Sequence, residues 1–149
     1  MYRHVLIATD GSELSAKAVQ HGLALAKACR AEATIITVTE PFNTLGDKQH
    51  MFSGLSDDLR QQAIDFLFKE SKTTLEQAGN AAKVAAVECG LKSVENAHPF
   101  EAIIETAEQD GCDLIVMASH GRSVASRLLL GSETMKVLTH TKIPVLVCR

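Results

Sequence analysis

The chain has no tryptophan, one tyrosine and five phenylalanines in 149 residues, so aromatic platforms for stacking single-stranded nucleic acid are scarce. Its formal charge is -3, from 15 Lys+Arg against 18 Asp+Glu, and no basic stripe stands out. Nucleic acid and anionic membrane surfaces are therefore not expected partners. No apolar run approaches the length of about 18 residues that a membrane span needs, and the chain opens into a strand-like run rather than a leader. These absences lead us to expect a soluble, cytoplasmic protein. The four cysteines, Cys29, Cys89, Cys112 and Cys148, form no CxxC pair and lie in or beside apolar segments. That excludes a zinc site of ordinary spacing and reads as buried or half-buried thiols in a reducing compartment, Cys148 being the most exposed. The histidines His4, His21, His50, His98 and His140 show no metal-ligand spacing either. Two nucleotide fingerprints are also missing. Gly11 has no glycine partners of the G-x-G-x-x-G kind, and no G-x-x-x-x-G-K-[ST] occurs.

What is present is alternation. Five strand candidates, Val5–Thr9, Ala33–Thr39, Val84–Cys89, Leu114–Ala118 and Pro144–Cys148, are mostly continuous apolar runs, as strands covered on both faces require. Between them lie helical patterns. Ser15–Cys29 places Ala18, Gly22, Leu25 and Cys29 on one stripe, with Ser12 as cap. Leu59–Ala78 carries Leu59, Ala63, Phe66, Leu67 and Leu75 at helical spacing, with Asp57, Asp58 and Asp65 capping and solvating it. Pro99–Gln109 begins at a favourable proline and stops at Gly111, and Glu133–Leu138 is the shortest. The order predicts one α/β domain spanning residues 1–149: an open parallel sheet with helices on both faces. Pro41 to Ser56 lacks periodicity and reads as either a functional loop or a mobile flap carrying Met51, Phe52 and Leu55. Asp110 and Asp113 bracket a turn.

In such a sheet the ligand crevice lies beyond the carboxyl ends of the strands. Asp10, Val38–Glu40 and Ala118–Gly121 all fall on that rim. Asp10 either caps the first helix or turns its carboxylate toward ligand hydroxyls or a cation. After the fourth strand come Ser119-His-Gly121, nine residues, and Gly131-Ser132 at the start of the last helix. Small residues there present backbone N–H groups to an anion, and the helix dipole adds to them. Gly121 is expected to adopt a backbone conformation closed to other residues, and Gly131 to let the chain approach a phosphate closely. Ser132 caps the helix, meets a phosphate, or both. Arg122 and Arg127 neutralise charge, Arg127 being equally readable as a solvated residue. His120 is the right side chain for a general base, but no nucleophile signature accompanies it, and a role beside the ligand or in fixing the loop is the stronger reading. Met117 and Glu133, next to these positions in the chain, complete the candidate contact set.

At these residues the chain resembles the universal stress protein family over essentially its whole length. The carriers are His4-Val-Leu-Ile-Ala-Thr-Asp-Gly-Ser12, Ser119-His-Gly-Arg-Ser123, the spacer Arg122–Leu130, Gly131-Ser132 and Ile143-Pro-Val-Leu-Val147. The resemblance implies strand order 3-2-1-4-5, a homodimer, and, in one branch, ATP or another adenine nucleotide held with or without magnesium by a G-x-x-G-x9-G-[ST] loop. It would place Asp10 at the ribose, Val38 at the adenine, and Gly121, Gly131 and Ser132 at the phosphates. The chain departs from that loop at its first glycine, where it has Ala118. Without a Walker lysine or a G-x-S-x-G elbow, the expected function is nucleotide-dependent regulation or stress response with little or no turnover, at most slow ATP hydrolysis. The alternative is a nucleotide-free interaction module of the same fold. Pro144–Cys148 reads as an edge strand, and an open apolar edge favours pairing with a second copy.

Overall fold

Five short segments rich in β-branched and aliphatic residues form the sheet of the computed structural model, which describes residues 1–41, 53–122 and 130–149. They are β1 (His4–Ala8), β2 (Glu32–Thr39), β3 (Cys89–Glu95), β4 (Leu114–Ala118) and β5 (Val145–Cys148). All pair in parallel, in the order β3-β2-β1-β4-β5. Four helices among the described residues connect them: α1 (Glu13–Cys29), α2 (Asp57–Ala85), α3 (Pro99–Gln109) and α4 (Ser132–His140). The fold is thus the five-stranded, doubly covered α/β sheet that the alternation and the resemblance predict. No helix among the described residues is long and apolar enough to cross a membrane.

Alternation along β1 divides the core. Val5 and Ile7 pack with Ala18, Val19, Leu23 and Ala26 of α1 and Ala78 and Ala82 of α2. Leu6 points the other way, toward Ile103, Ile104 and Ala107 of α3 and Val137 of α4. Strands covered on both faces cannot alternate polar with apolar, which is why β1 and β4 read as unbroken runs. Each fully buried aliphatic side chain contributes roughly 1.5–3 kcal/mol relative to an exposed one.

The helix boundaries follow local chemistry. Ser12 caps α1, its hydroxyl accepting from the Ser15 N–H, and Ser56 does the same for α2 through Leu59. The buried stripe of α1 runs through Ala18, Val19, Gly22, Leu23 and Ala26, with Leu25 and Cys29 half-buried on its flank. In α2, Ala63, Leu67 and Leu75 turn partly inward, whereas Leu59 and Phe66 are exposed.

Three expectations are corrected. The third strand is Cys89–Glu95, because the alanine-rich run through Ala85 continues α2 to a left-handed cap at Ala86. Val84, placed in that strand from sequence, is an exposed helical residue. The true β3 is an edge strand whose polar and apolar residues are mixed, so it lacked the continuous apolar signature. Cys148 is buried at 8% exposure, since β5 closes against the sheet and brings it beside Ala118. Asp110 and Asp113 do more than bracket a turn. Asp113 accepts from the N–H groups of Arg3 and His4, and Asp110 accepts from Lys92 Nζ at 2.6 Å, tying the start of β4 to β1 and β3. Burial raises the Cys112 thiol to about 11, with the charges of Asp110 and Asp113 adding to it, and burial also raises Cys89 and Cys148. These three thiols stay protonated at neutral pH.

Gly22 sets the approach of α1 to the sheet: a Cβ there would stand 2.7 Å from Ile7 Cδ1. Gly22→Ala should destabilise the fold by about 1–2 kcal/mol, overpacking outweighing the gain in helix propensity. Adding Ile7→Val, which removes that Cδ1, should recover part of the loss in urea unfolding. A strictly additive double mutant would refute the close-approach explanation.

Candidate functional site

β1 lies between β2 and β4, and the chain leaves it for α1 on one face while β4 is approached from α3 on the other. The C-terminal ends of β1 and β4 therefore open into a crevice between diverging connections. A cavity of about 270 Å³ occupies it. Its lining brings together Asp10, Val38, Met117, Ala118, His120 and Gly121, with Arg122, Gly131, Ser132 and Glu133 completing the ten residues singled out from sequence. Arg127 falls within residues 123–129 and Met51 and Phe52 within residues 42–52, both outside the described residues.

Asp10 organises the rim. Its Oδ1 accepts from the Ser12 N–H at 3.0 Å, and its Oδ2 accepts from the Arg122 N–H, also at 3.0 Å. Ser12, not Asp10, is the helix cap, so the carboxylate is an intramolecular clamp between the β1–α1 turn and the loop after β4. Burial pushes the Asp10 carboxyl upward, but hydrogen bonds, chiefly from Ser12 and with contributions from Ser15 and Arg122, hold it below its ordinary value. Gly11 sits at φ +77°, a conformation that favours glycine, and a Cβ there would meet the Thr74 and Arg122 side chains.

Gly121 is needed for space rather than for conformation. Its φ is not in the left-handed region, contrary to expectation, but a Cβ would lie 2.5 Å from Asp10 Oδ2. Any side chain at this position would displace the clamp. Gly131 is tight to a lesser degree: a Cβ there would stand 3.1 Å from His120 Cα, and its N–H donates to Ser119 O at 2.7 Å. Gly131 is also the N-cap of α4, with Ser132 as the first helical residue, so Ser132 does not cap. A glycine cap has no side chain to satisfy the first-turn N–H groups, which also lack acceptors within the helix. Ser132, Glu133 and Thr134 bring that turn to the cavity wall.

The remaining side chains are partly engaged. His120 Nδ1 lies 3.1 Å from the buried Ser119 hydroxyl. The Arg122 guanidinium donates to Glu70 Oε2 at 2.7 Å, reaching across to α2. Glu133 Oε2 accepts from the Phe100 N–H at 3.0 Å and its Oε1 from Lys136 Nζ at 2.8 Å. It thereby serves α3, whose N-cap residue His98 makes no side-chain cap bond. Ala118 belongs to the regular β4 ladder opposite Cys148, so alanine imposes no backbone strain there. Its carbonyl accepts from the Thr134 hydroxyl at 2.9 Å, which pins α4 to the strand end.

Val38, Ile103 and Met117 give the cavity an apolar part; Asp10, His120 and Arg122 give it a polar one. Pro99, Ile103 and Thr134 also line the cavity; Pro99 and Ile103 were read from sequence only as a helix start and an inward core residue, and Thr134 was not singled out, since none carries a ligand motif. Glu70 was also missed, because its partner is distant in the chain. The arrangement can hold a ligand with a flat apolar portion, hydroxyl groups and an anionic end. Asp10→Asn should cost about 1 kcal/mol at neutral pH, the scale of an exposed hydrogen bond to a charged group. The carboxylate's contribution is full above its unfolded pKa and lost as pH falls through the lowered folded value, so the difference between wild type and variant should shrink from neutral pH to an acid pH below the ordinary carboxylate range. Urea unfolding at the two pH values measures this; an equal difference at both would show that the charge is irrelevant.

Comparison with known proteins agrees with this geometry. The model of the universal stress protein family matches residues 1–149. Universal stress protein MJ0531 of Methanocaldococcus jannaschii is 32% identical over 152 residues, covering 100% of this chain and 83% of that protein. The solved structure of protein MJ0577, from the same organism, superposes with a TM-score of 0.79 at 27% identity, covering 99% of this chain and 96% of the other. A universal stress protein solved in complex with cAMP gives a TM-score of 0.67 at 27% identity, covering 98% and 95%. Matched by the family model from end to end, this chain belongs to the universal stress protein family.

Proposed function

We propose that this chain binds an adenine nucleotide in the crevice between β1 and β4 and acts through occupancy, as a homodimeric regulatory or stress-response protein with little or no turnover. The observation that carries the reading is the glycine cradle. At Gly121 and Gly131 a Cβ would intrude on Asp10 and on the His120 backbone, directly beside the uncapped first turn of α4. Bare backbone and a helix N-terminus at one point suit a phosphate group. The cavity of about 270 Å³ is near the lower end of the roughly 300–1,000 Å³ range of ligand pockets, so part of a nucleotide would extend over the open rim.

In this reading Val38, Ile103 and Met117 receive the adenine, with Val38 offering backbone groups to its edge. The Asp10 carboxylate faces the ribose hydroxyls, and Gly121, Gly131 and Ser132 hold phosphate oxygens. Magnesium, when bound, would supply charge compensation for a polyphosphate. A relative solved with cAMP supports an adenine ligand for this type of crevice. Low turnover is supported by the engagement of the candidate base His120, bonded to Ser119, and of Asp10, whose carboxylate accepts two backbone N–H groups. The homodimer reading is supported by β5, which pairs with β4 alone and leaves Leu146 40% exposed on the sheet's outer strand.

A second reading, a nucleotide-free interaction module, is favoured by Ala118, which puts a methyl group where the family loop has a glycine. Titration calorimetry with ATP at millimolar magnesium separates the two. Micromolar binding that disappears in Gly121→Val supports the nucleotide site; a folded protein that releases no heat and carries no adenine absorbance supports the second. A robust ATPase rate abolished by His120→Ala or Asp10→Ala would overturn the low-turnover part. Truncation after Thr141 should yield a monomer or aggregate on a sizing column, and an intact folded dimer would remove β5 from the interface.

A further inference from the structure

Three carboxylates, Asp10, Glu40 and Glu133, line the crevice against one cationic side chain, Arg122, among its described lining residues. Lys136 offsets Glu133 from outside. Arg122 itself is not free. Its guanidinium is held 2.7 Å from Glu70, and Glu70 lines a neighbouring cavity of about 260 Å³ that shares Asp10, Val38, Glu40 and Arg122 with the crevice. The arginine thus stands in the wall between two cavities with its charge drawn to the α2 side. Among the described residues, the positive potential left for a ligand comes from the N-terminus of α4, equivalent to about half an elementary charge. That balances one phosphate group far better than three.

We infer that Glu70 is a specificity-determining residue, acting through its ion pair with Arg122 to favour adenine nucleotides with a single phosphate over the triphosphate. The inference rests on the nucleotide reading above and narrows it. Glu70 does not touch the ligand; it positions and neutralises the group that would. The pair is half-exposed, with side-chain accessibilities of 53% for Arg122 and 41% for Glu70, so its influence is modest and screened by salt. Lys17 and Arg149 are the competing source of positive charge. They line a separate cavity beyond His120 and Gly121, where Lys17 lies 3.5 Å from Glu13.

The test is titration of the full chain with AMP, ADP and ATP in magnesium-free, low-salt buffer, using wild type, Glu70→Gln and Glu70→Asp. Wild type should bind AMP more tightly than ATP. Glu70→Gln should raise ATP affinity about 2–5-fold relative to AMP, the scale of one partly exposed charge pair. Glu70→Asp, which keeps the charge, should restore the wild-type ratio. The melting temperature of the unliganded variants is the control, since a purely structural role would lower it and weaken all three ligands together. An AMP-to-ATP ratio unchanged in Glu70→Gln overturns the inference while leaving the nucleotide site intact. So does wild-type preference for ATP without magnesium, which would mean that the outer phosphates reach Lys17 and Arg149. Binding of none of the three by folded wild-type protein overturns the nucleotide reading and this inference with it.

Discussion

The position of β1 at the middle of the sheet is the constraint from which the rest follows. With β2 on one side and β4 on the other, the chain must run outward along one half of the sheet and then return across β1 to build the second half. Helices α1 and α2 therefore cover one face and α3 and α4 the other. The connections leaving the ends of β1 and β4 diverge, and among the described residues a cavity of about 270 Å³ lies between them. A crevice at that point is a consequence of topology, before any side chain is chosen.

What the side chains add is a means of holding the gap open in a defined shape. The Asp10 carboxylate bonds to two backbone N–H groups that belong to loops on either side of it. Its two glycine neighbours serve different ends. Gly11 supplies a left-handed turn, and Gly121 supplies room for the carboxylate itself. Across the crevice, Thr134 anchors α4 to the end of β4, and Glu133 satisfies an N–H at the start of α3. The walls are thus cross-linked by short polar contacts between segments far apart in sequence. Such contacts are individually modest, and their value lies in fixing loop geometry over a core that is already stable.

The same economy of charge shapes the chemistry. Several groups that a ligand would meet already have protein partners: Arg122 with Glu70, Glu133 with Lys136, His120 with Ser119. A ligand entering this site must compete with those contacts. This favours recognition by backbone groups and shape.

The strands β1, β2 and β4, the cap Ser12, the helix start at Pro99 and the alternation of elements were legible in the sequence, because burial on both faces and helix-start chemistry leave local signatures. That the ten candidate residues meet at one rim was legible too, since strand ends and small residues mark it, and all ten line one cavity; their roles toward a ligand belong to the proposal. Other features were not. The boundary between α2 and β3 was misplaced because alanine-rich helix and buried strand look alike in a short apolar run, and an edge strand need not be apolar. Cys148 looked exposed from its nearness to the terminus, yet sheet pairing buries it. The reason for Gly121, the capping by Gly131 rather than Ser132, and the pairing of Arg122 with Glu70 all arise between residues that only the fold brings together. Local sequence determines which segments become strands and helices, because periodicity and capping act within a few residues. Tertiary structure decides which charges are already spent, because that depends on what folding places within a few ångströms of each one.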